Sequence, residues 1–228
     1  LWPANDEPAG PERLTLCEAD STGRSSFARE HRQYALHDYL PLPLPPHGET
    51  RDDINEADIE GLACDGKYLW IAGSHSLRRR QPKEGDGVRK AQKRLASVSA
   101  DGNRYLLGRI PVVEEDGGYT LAREHAGKNR LGRAAMLPRD GHGNELTALL
   151  REDPHLGPFL AIPGKDNGFD IEGLAVAGEH LLLGLRGPVL RGWALVIEVA
   201  PVDGEEEDRL RLAPVDKDGA PYRKHFLD

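Results

Sequence analysis

Short apolar runs separated by Gly-containing turns recur along the chain. Residues 58–64 read as one strand, and residues 68–72 (Tyr-Leu-Trp-Ile-Ala) form a continuous apolar run suited to a buried strand. Asp65-Gly66 between them is a two-residue hairpin signal. After a long polar stretch, residues 95–100 predict a third strand. Asp101-Gly102 predicts a second hairpin turn, and residues 105–113 a fourth strand. That order is the plan of a four-stranded propeller blade. A second series follows the same plan: residues 171–176, a turn at Ala177-Gly178, residues 180–185, a loop through Gly192, residues 193–199, an acidic turn containing Gly204, and residues 209–213.

The N-terminal part reads as a partial blade over residues 1–50. Leu1-Trp2 aligns with Leu69-Trp70, and residues 12–18 and 33–40 supply later strands. Residues 40–46, rich in Leu and Pro, predict an extended connector. Blades are expected at 57–113 and 170–213. Between them, residues 114–169 break the pattern and read as an insertion or a divergent blade. Asn144 is placed to cap one short helix there, with Leu146, Leu149 and Leu150 at helical spacing and Asp153-Pro154 as its stop. Trp70 and Trp193 are expected in the core. The prediction is an all-β chain, a single β-propeller domain over 1–228. It opens Leu1-Trp2-Pro3 and closes on a strand-like run at 222–228, so a propeller incomplete at both ends is expected. Cut edges would leave room for a second chain that completes the ring.

One phrase occurs twice. Asp58-Ile59-Glu60-Gly61-Leu62-Ala63 returns as Asp170-Ile171-Glu172-Gly173-Leu174-Ala175, the mark of a structural repeat. Alternate residues of a strand share a face, so Asp58 and Glu60 should point together, about 7 Å apart at their Cα atoms. Asp170 and Glu172 should do the same. Gly61 and Gly173 would admit another backbone at close range. Antiparallel pairing sets the start of each first strand beside the end of the second, which holds His75 in one copy, Arg186 and then Arg191 in the other, and Asp6 in the partial blade. All should gather on one rim. The four carboxylates are candidate ligands of a divalent cation. His75, Arg186, Arg191 and Asp6 are candidate ligand-binding residues. The plainer alternative is that the acids cap backbone N–H groups at the strand ends.

The net charge of −8 excludes general nucleic-acid binding, and no apolar run approaches the roughly 20 residues of a membrane span. Cys17 and Cys64 are isolated and read as plain thiols. Residues 78–94 carry a net +6, so the rest of the chain sums to −14. That basic loop reads either as a solvated segment or as an anion-holding element beside the rim. No G-x-S-x-G, H-E-x-x-H or phosphate-cradling Gly loop occurs.

The phrases at residues 58–79 (DIEGLACDGKYLWIAGSHSLRR) and 154–175 (PHLGPFLAIPGKDNGFDIEGLA), with LLLGLRGPVLRGWA and the terminal YRKHFLD, closely resemble the bacterial family known as domain of unknown function 3616. That family brings no activity with it. A weaker likeness is to phytase-like β-propellers, in which a D-I-E-G phrase opens an inner strand and acidic residues hold calcium beside phosphate. It implies calcium at Asp58, Glu60, Asp170 and Glu172, the positions that match. The resulting expectation is a divalent-metal-dependent hydrolase of a phosphorylated or other anionic ester, with a metal-bound water as nucleophile and calcium the ion that hard oxygen ligands suit best. The alternative is a non-catalytic propeller that binds a small ligand or a partner protein.

Overall fold

A computed structural model describes residues 2–4, 13–16, 32–42, 57–115, 118–126 and 131–228. Asp6 and Cys17 lie outside the described residues.

The described chain is mostly antiparallel sheet. Strands β1 (Trp2–Ala4), β2 (Arg13–Leu16) and β3 (Arg32–Ala35) pair in that order as an N-terminal sheet. The strand expected over 33–40 stops at Ala35. Leu36–Asp38 forms a 3-10 turn, which lets Leu36 and Leu40 both sink into the core.

The first copy of the repeated phrase lies on β4 (Ile59–Cys64), followed by β5 (Tyr68–Gly73). The Asp65-Gly66 turn is as expected. The Asp65 carboxylate accepts from the backbone N–H groups of Lys67 and Tyr68 and from the Trp70 indole, at 2.8, 2.6 and 2.9 Å. Beyond β5 the chain leaves the sheet as an arm: β6 (Arg78–Arg79), helix α1 (Val88–Leu95) and β7 (Val98–Ser99), which pairs with β6. The strand expected over 95–100 is therefore not part of a blade. Asp101-Gly102 is not a hairpin turn either: the Asp101 side chain caps a 3-10 turn, Gly102–Tyr105. The chain then returns as β8 (Leu107–Glu115), which pairs directly with β5.

Next come β9 (Gly118–Leu121), β10 (Glu124–Ala126), β11 (Leu131–Arg133) and β12 (Ala135–Met136). Two of these finish the sheet: β12 pairs with the start of β8 and β9 with its end. Helix α2 (Glu145–Leu150) is capped by Asn144, with Leu146 and Leu150 buried, as the spacing predicts. The second copy builds β13 (Asp170–Ala177), β14 (His180–Gly187), β15 (Ala194–Asp203) and β16 (Leu210–Ala213) in the expected order. A final strand, β17 (Arg223–Leu227), also pairs with β15. Both sheets thus have a long third strand whose outer edge is shared by two short strands. No helix among the described residues is long and apolar enough to cross a membrane.

Strand β5 is buried along its whole length. Tyr68, Trp70 and Ala72 face the second sheet, in a core with Ile171, Leu183 and Ile197. Leu69 and Ile71 face the other way, among Leu36, Ile59 and Ile110. A strand with apolar neighbours on both faces reads as a continuous apolar run rather than an alternating one. Trp193 departs from expectation. It follows the turn after β14 and is 44% exposed, so it is not a core residue.

The two repeated phrases meet edge to face. A Cβ on Gly61 would stand 2.5 Å from the Leu174 Cβ and 3.1 Å from its backbone nitrogen. Gly173 has more room: its nearest neighbour would be Gly184 at 3.7 Å. Gly61→Ala should therefore cost roughly 1–3 kcal/mol by overpacking, read as a fall of several degrees in melting temperature. Gly173→Ala should be nearly neutral, and equal losses in the two variants would contradict this geometry.

Candidate functional site

The four repeated carboxylates come together where β4 meets β13. Strand alternation does not aim them as expected, because each copy carries a β-bulge. In the first, Ile59 pairs with Gly73 and Gly61 with Ala72, so Glu60 is the extra residue. In the second, Ile171 pairs with Leu185 and Gly173 with Gly184, so Glu172 is the extra residue. Bulges bend a strand and redirect the side chain they carry. The bulge is thus part of what the repeat encodes. The second copy has a further shift: Asp170 pairs with Gly187, which leaves Arg186 unmatched on β14.

Each Asp is tied to an arginine, by different routes. Arg186 pairs with Asp170 and, at 3.0 Å, with Glu172. The register puts Ser74 where Arg186 stands in the other copy. The missing cation arrives from the 3-10 turn instead: Arg104 reaches Asp58 at 2.6 Å and donates to the Ser76 hydroxyl at 2.8 Å. Arg104 was not legible in the sequence, where Asp101-Gly102 reads as a hairpin and points the next strand elsewhere. Asp58 has a left-handed backbone, φ 47°, a region that Asp tolerates better than most residues. In that conformation its carbonyl accepts from the Ser74 N–H at 3.0 Å. The Ser74 carbonyl in turn accepts from the Ile171 N–H at 2.8 Å, which ties one copy to the other.

Burial and repulsion from neighbouring acids set the protonation of Glu60 and Asp170. Burial pushes Glu60 up to about 7, with help from the charges of Asp58, Glu172 and Asp170 and against the pull of Arg104. Burial also raises Asp170, to about 6, outweighing Arg186, and Glu172 and Asp58 add to the rise. Glu60 therefore exchanges its proton near neutral pH. Among the described residues, no three His, Cys, Asp or Glu side chains stand close enough to share one metal ion.

The other candidates are placed differently. His75 is buried, not displayed on the rim. One ring nitrogen meets the Gly73 carbonyl at 2.9 Å and the other the Asn144 amide at 2.8 Å. Burial lowers its pKa to about 4, so it stays neutral. It links the rim segment to the cap of α2. Beyond Asn144 lies an open cleft of about 350 Å³ that Arg139, His142 and Arg151 help to line. Arg191 sits at the exposed tip of the turn between Leu190 and Trp193, with φ 52°. The basic segment is an ordered arm rather than a loop. Arg79 pairs with Asp166 at 2.6 Å, and Asp86 gathers Lys90 and Arg94 at 2.9 and 2.7 Å.

A family model described as a protein of unknown function, DUF3616, matches residues 1–228. The chain belongs to this family. No curated protein and no solved structure matches the chain. The chemistry of this DUF3616 chain has to be read from its own rim.

The Glu60 proton couples this site to folding. The folded state holds it up to about 7, whereas an ordinary Glu releases it near 4.5. Stability from this proton is full below the ordinary value and is lost as pH rises through about 7. Glu60→Gln cannot lose a proton. It should match the wild type near pH 4.5 and exceed it near pH 8 by on the order of 1 kcal/mol, a figure kept small by solvent screening. Thermal melts at the two pH values check this; a difference independent of pH would contradict it.

Proposed function

We propose that this chain forms part of a β-propeller and that its acidic rim junction binds a small cationic group. Two observations support the propeller: the inner strands β1, β4 and β13 neighbour one another in turn, and the first sheet packs apolar side chains on both faces. The binding reading rests on one observation above all. Four carboxylates meet two arginines there, and burial, aided by the charges of the other three acids, raises the Glu60 carboxyl to about 7. A cation that takes the place of the Glu60 proton relieves the same repulsion.

Calcium is the simplest such cation, since the donors are hard oxygens. The carboxylates are not drawn up around one point, so the side chains of Glu60 and Glu172 would have to converge on the ion. A weak site, with a dissociation constant of about 0.1–1 mM, is therefore expected. A second reading, hydrolysis of an anionic ester, is favoured by the Glu60 proton itself. A carboxyl group titrating near 7 suits general acid–base work at neutral pH.

Calcium at about 10 mM should raise the melting temperature by a few degrees near pH 8 and by less near pH 6, where Glu60 keeps its proton. The Glu60→Gln, Glu172→Gln double variant should show no shift. No response of the wild type to calcium or to small organic amines would end the cation-binding reading. A panel of phosphate and carboxylic esters decides the second: turnover that disappears in Glu60→Gln supports hydrolysis, and no turnover leaves a binding module.

A further inference from the structure

The basic arm and the far end of these sheets carry opposite charge, and the four junction carboxylates share the arm's end. Strands β5 and β14 run towards the rim, and β8 and β15 run away from it. The arm of β6, α1 and β7 leaves the end of β5 and returns before the start of β8, so it belongs to the rim end. The last residues of β8, and the turn after β15, belong to the far end. Ten residues of β15 separate the two ends, about 30 Å of extended chain.

The arm is strongly basic. With Arg79, Lys90 and Arg94 held in ion pairs, Arg78, Arg80, Lys83, Arg89 and Lys93 are exposed and make no ion pair among the described residues. Helix α1 buries none of its side chains, and it exposes Val88 and Leu95. The far end is acidic. Glu206 pairs with Arg209 and Glu207 with Arg133, and Glu114, Glu115, Glu205 and Asp208 remain exposed without an ion pair among the described residues. At this separation neither end can neutralise the other within one molecule. Charges further apart than a Debye length, about 8 Å at physiological salt, barely interact.

We propose that copies of this chain associate head to tail, the basic arm of one docking on the acidic far end of the next. Outside the arm the chain sums to −14, which repels a nucleic acid or an anionic membrane that approaches the arm. A second copy instead brings acid to base, and Val88 and Leu95 add apolar area to the contact. Such a contact is heterologous, so it builds rings or open chains rather than a two-fold dimer.

Sedimentation velocity at about 50 mM and about 500 mM salt tests this directly. The wild type should self-associate at low salt, and the association should weaken at least about tenfold at high salt. Arg89→Glu with Lys93→Glu should abolish it, as should Glu205→Lys with Asp208→Lys. All four side chains are exposed, so both variants should fold. Mixing the two variants should restore association, because each then meets a complementary end. A wild type that stays monomeric at low salt, association indifferent to salt, or a mixture that fails to associate would overturn the proposal. So would a monomer that binds duplex DNA or anionic vesicles through the arm.

Discussion

The two sheets approach as closely as they do because position 61 has no side chain. With Gly61 set against Gly173 and Leu174, the inner strands of neighbouring sheets touch at backbone distance. Everything at the rim follows from that contact. It brings the Ser74 carbonyl within reach of the Ile171 N–H, and it superimposes the acidic starts of two strands that are 112 positions apart in the chain. A larger residue would push the sheets apart and separate the carboxylates whose charges now help to raise Glu60 and Asp170.

Gathering like charges opposes folding, and the structure offsets that cost by two unrelated means. Arg186 belongs to the same hairpin as its acids, whereas Arg104 comes from a turn that follows the whole basic arm. The repeat therefore conserves the acids and their bulges but not the source of the counter-charge. Glu60, partly buried beside the other three acids, is raised to about 7, while Arg104 is committed to Asp58 and Arg186 serves both acids of its own copy.

Much of the fold was legible in the sequence because it depends on local signals. The continuous apolar run of β5, the Asp65-Gly66 turn, the Asn144 cap and the four strands of the second copy all show in short windows. What was not legible depends on long-range pairing. Strand β8 skips the arm to pair with β5, and the outer edge of that sheet comes from residues past 117. Asp101-Gly102 looks like a hairpin turn and serves as a 3-10 cap, since the same Asx geometry satisfies either backbone path. At the site, the meeting of the four acids was readable from strand order. The bulges at Glu60 and Glu172, the burial of His75 and the arrival of Arg104 were not, because none of them leaves a mark in residue spacing.

The two large sheets are also joined away from the rim. Arg109 of β8 lies buried with its guanidinium 4.2 Å from the centre of the Tyr68 ring, and it reaches across to Asp203 near the far end of β15. With the Ser74–Ile171 bond at one end and this charged tie towards the other, and close-packed apolar side chains between, sliding of one sheet over the other has no low-energy path. The rim is therefore a stiff frame. A ligand at the proposed site would be accommodated by side-chain rotation of Glu60 and Glu172 rather than by movement of one sheet against the other.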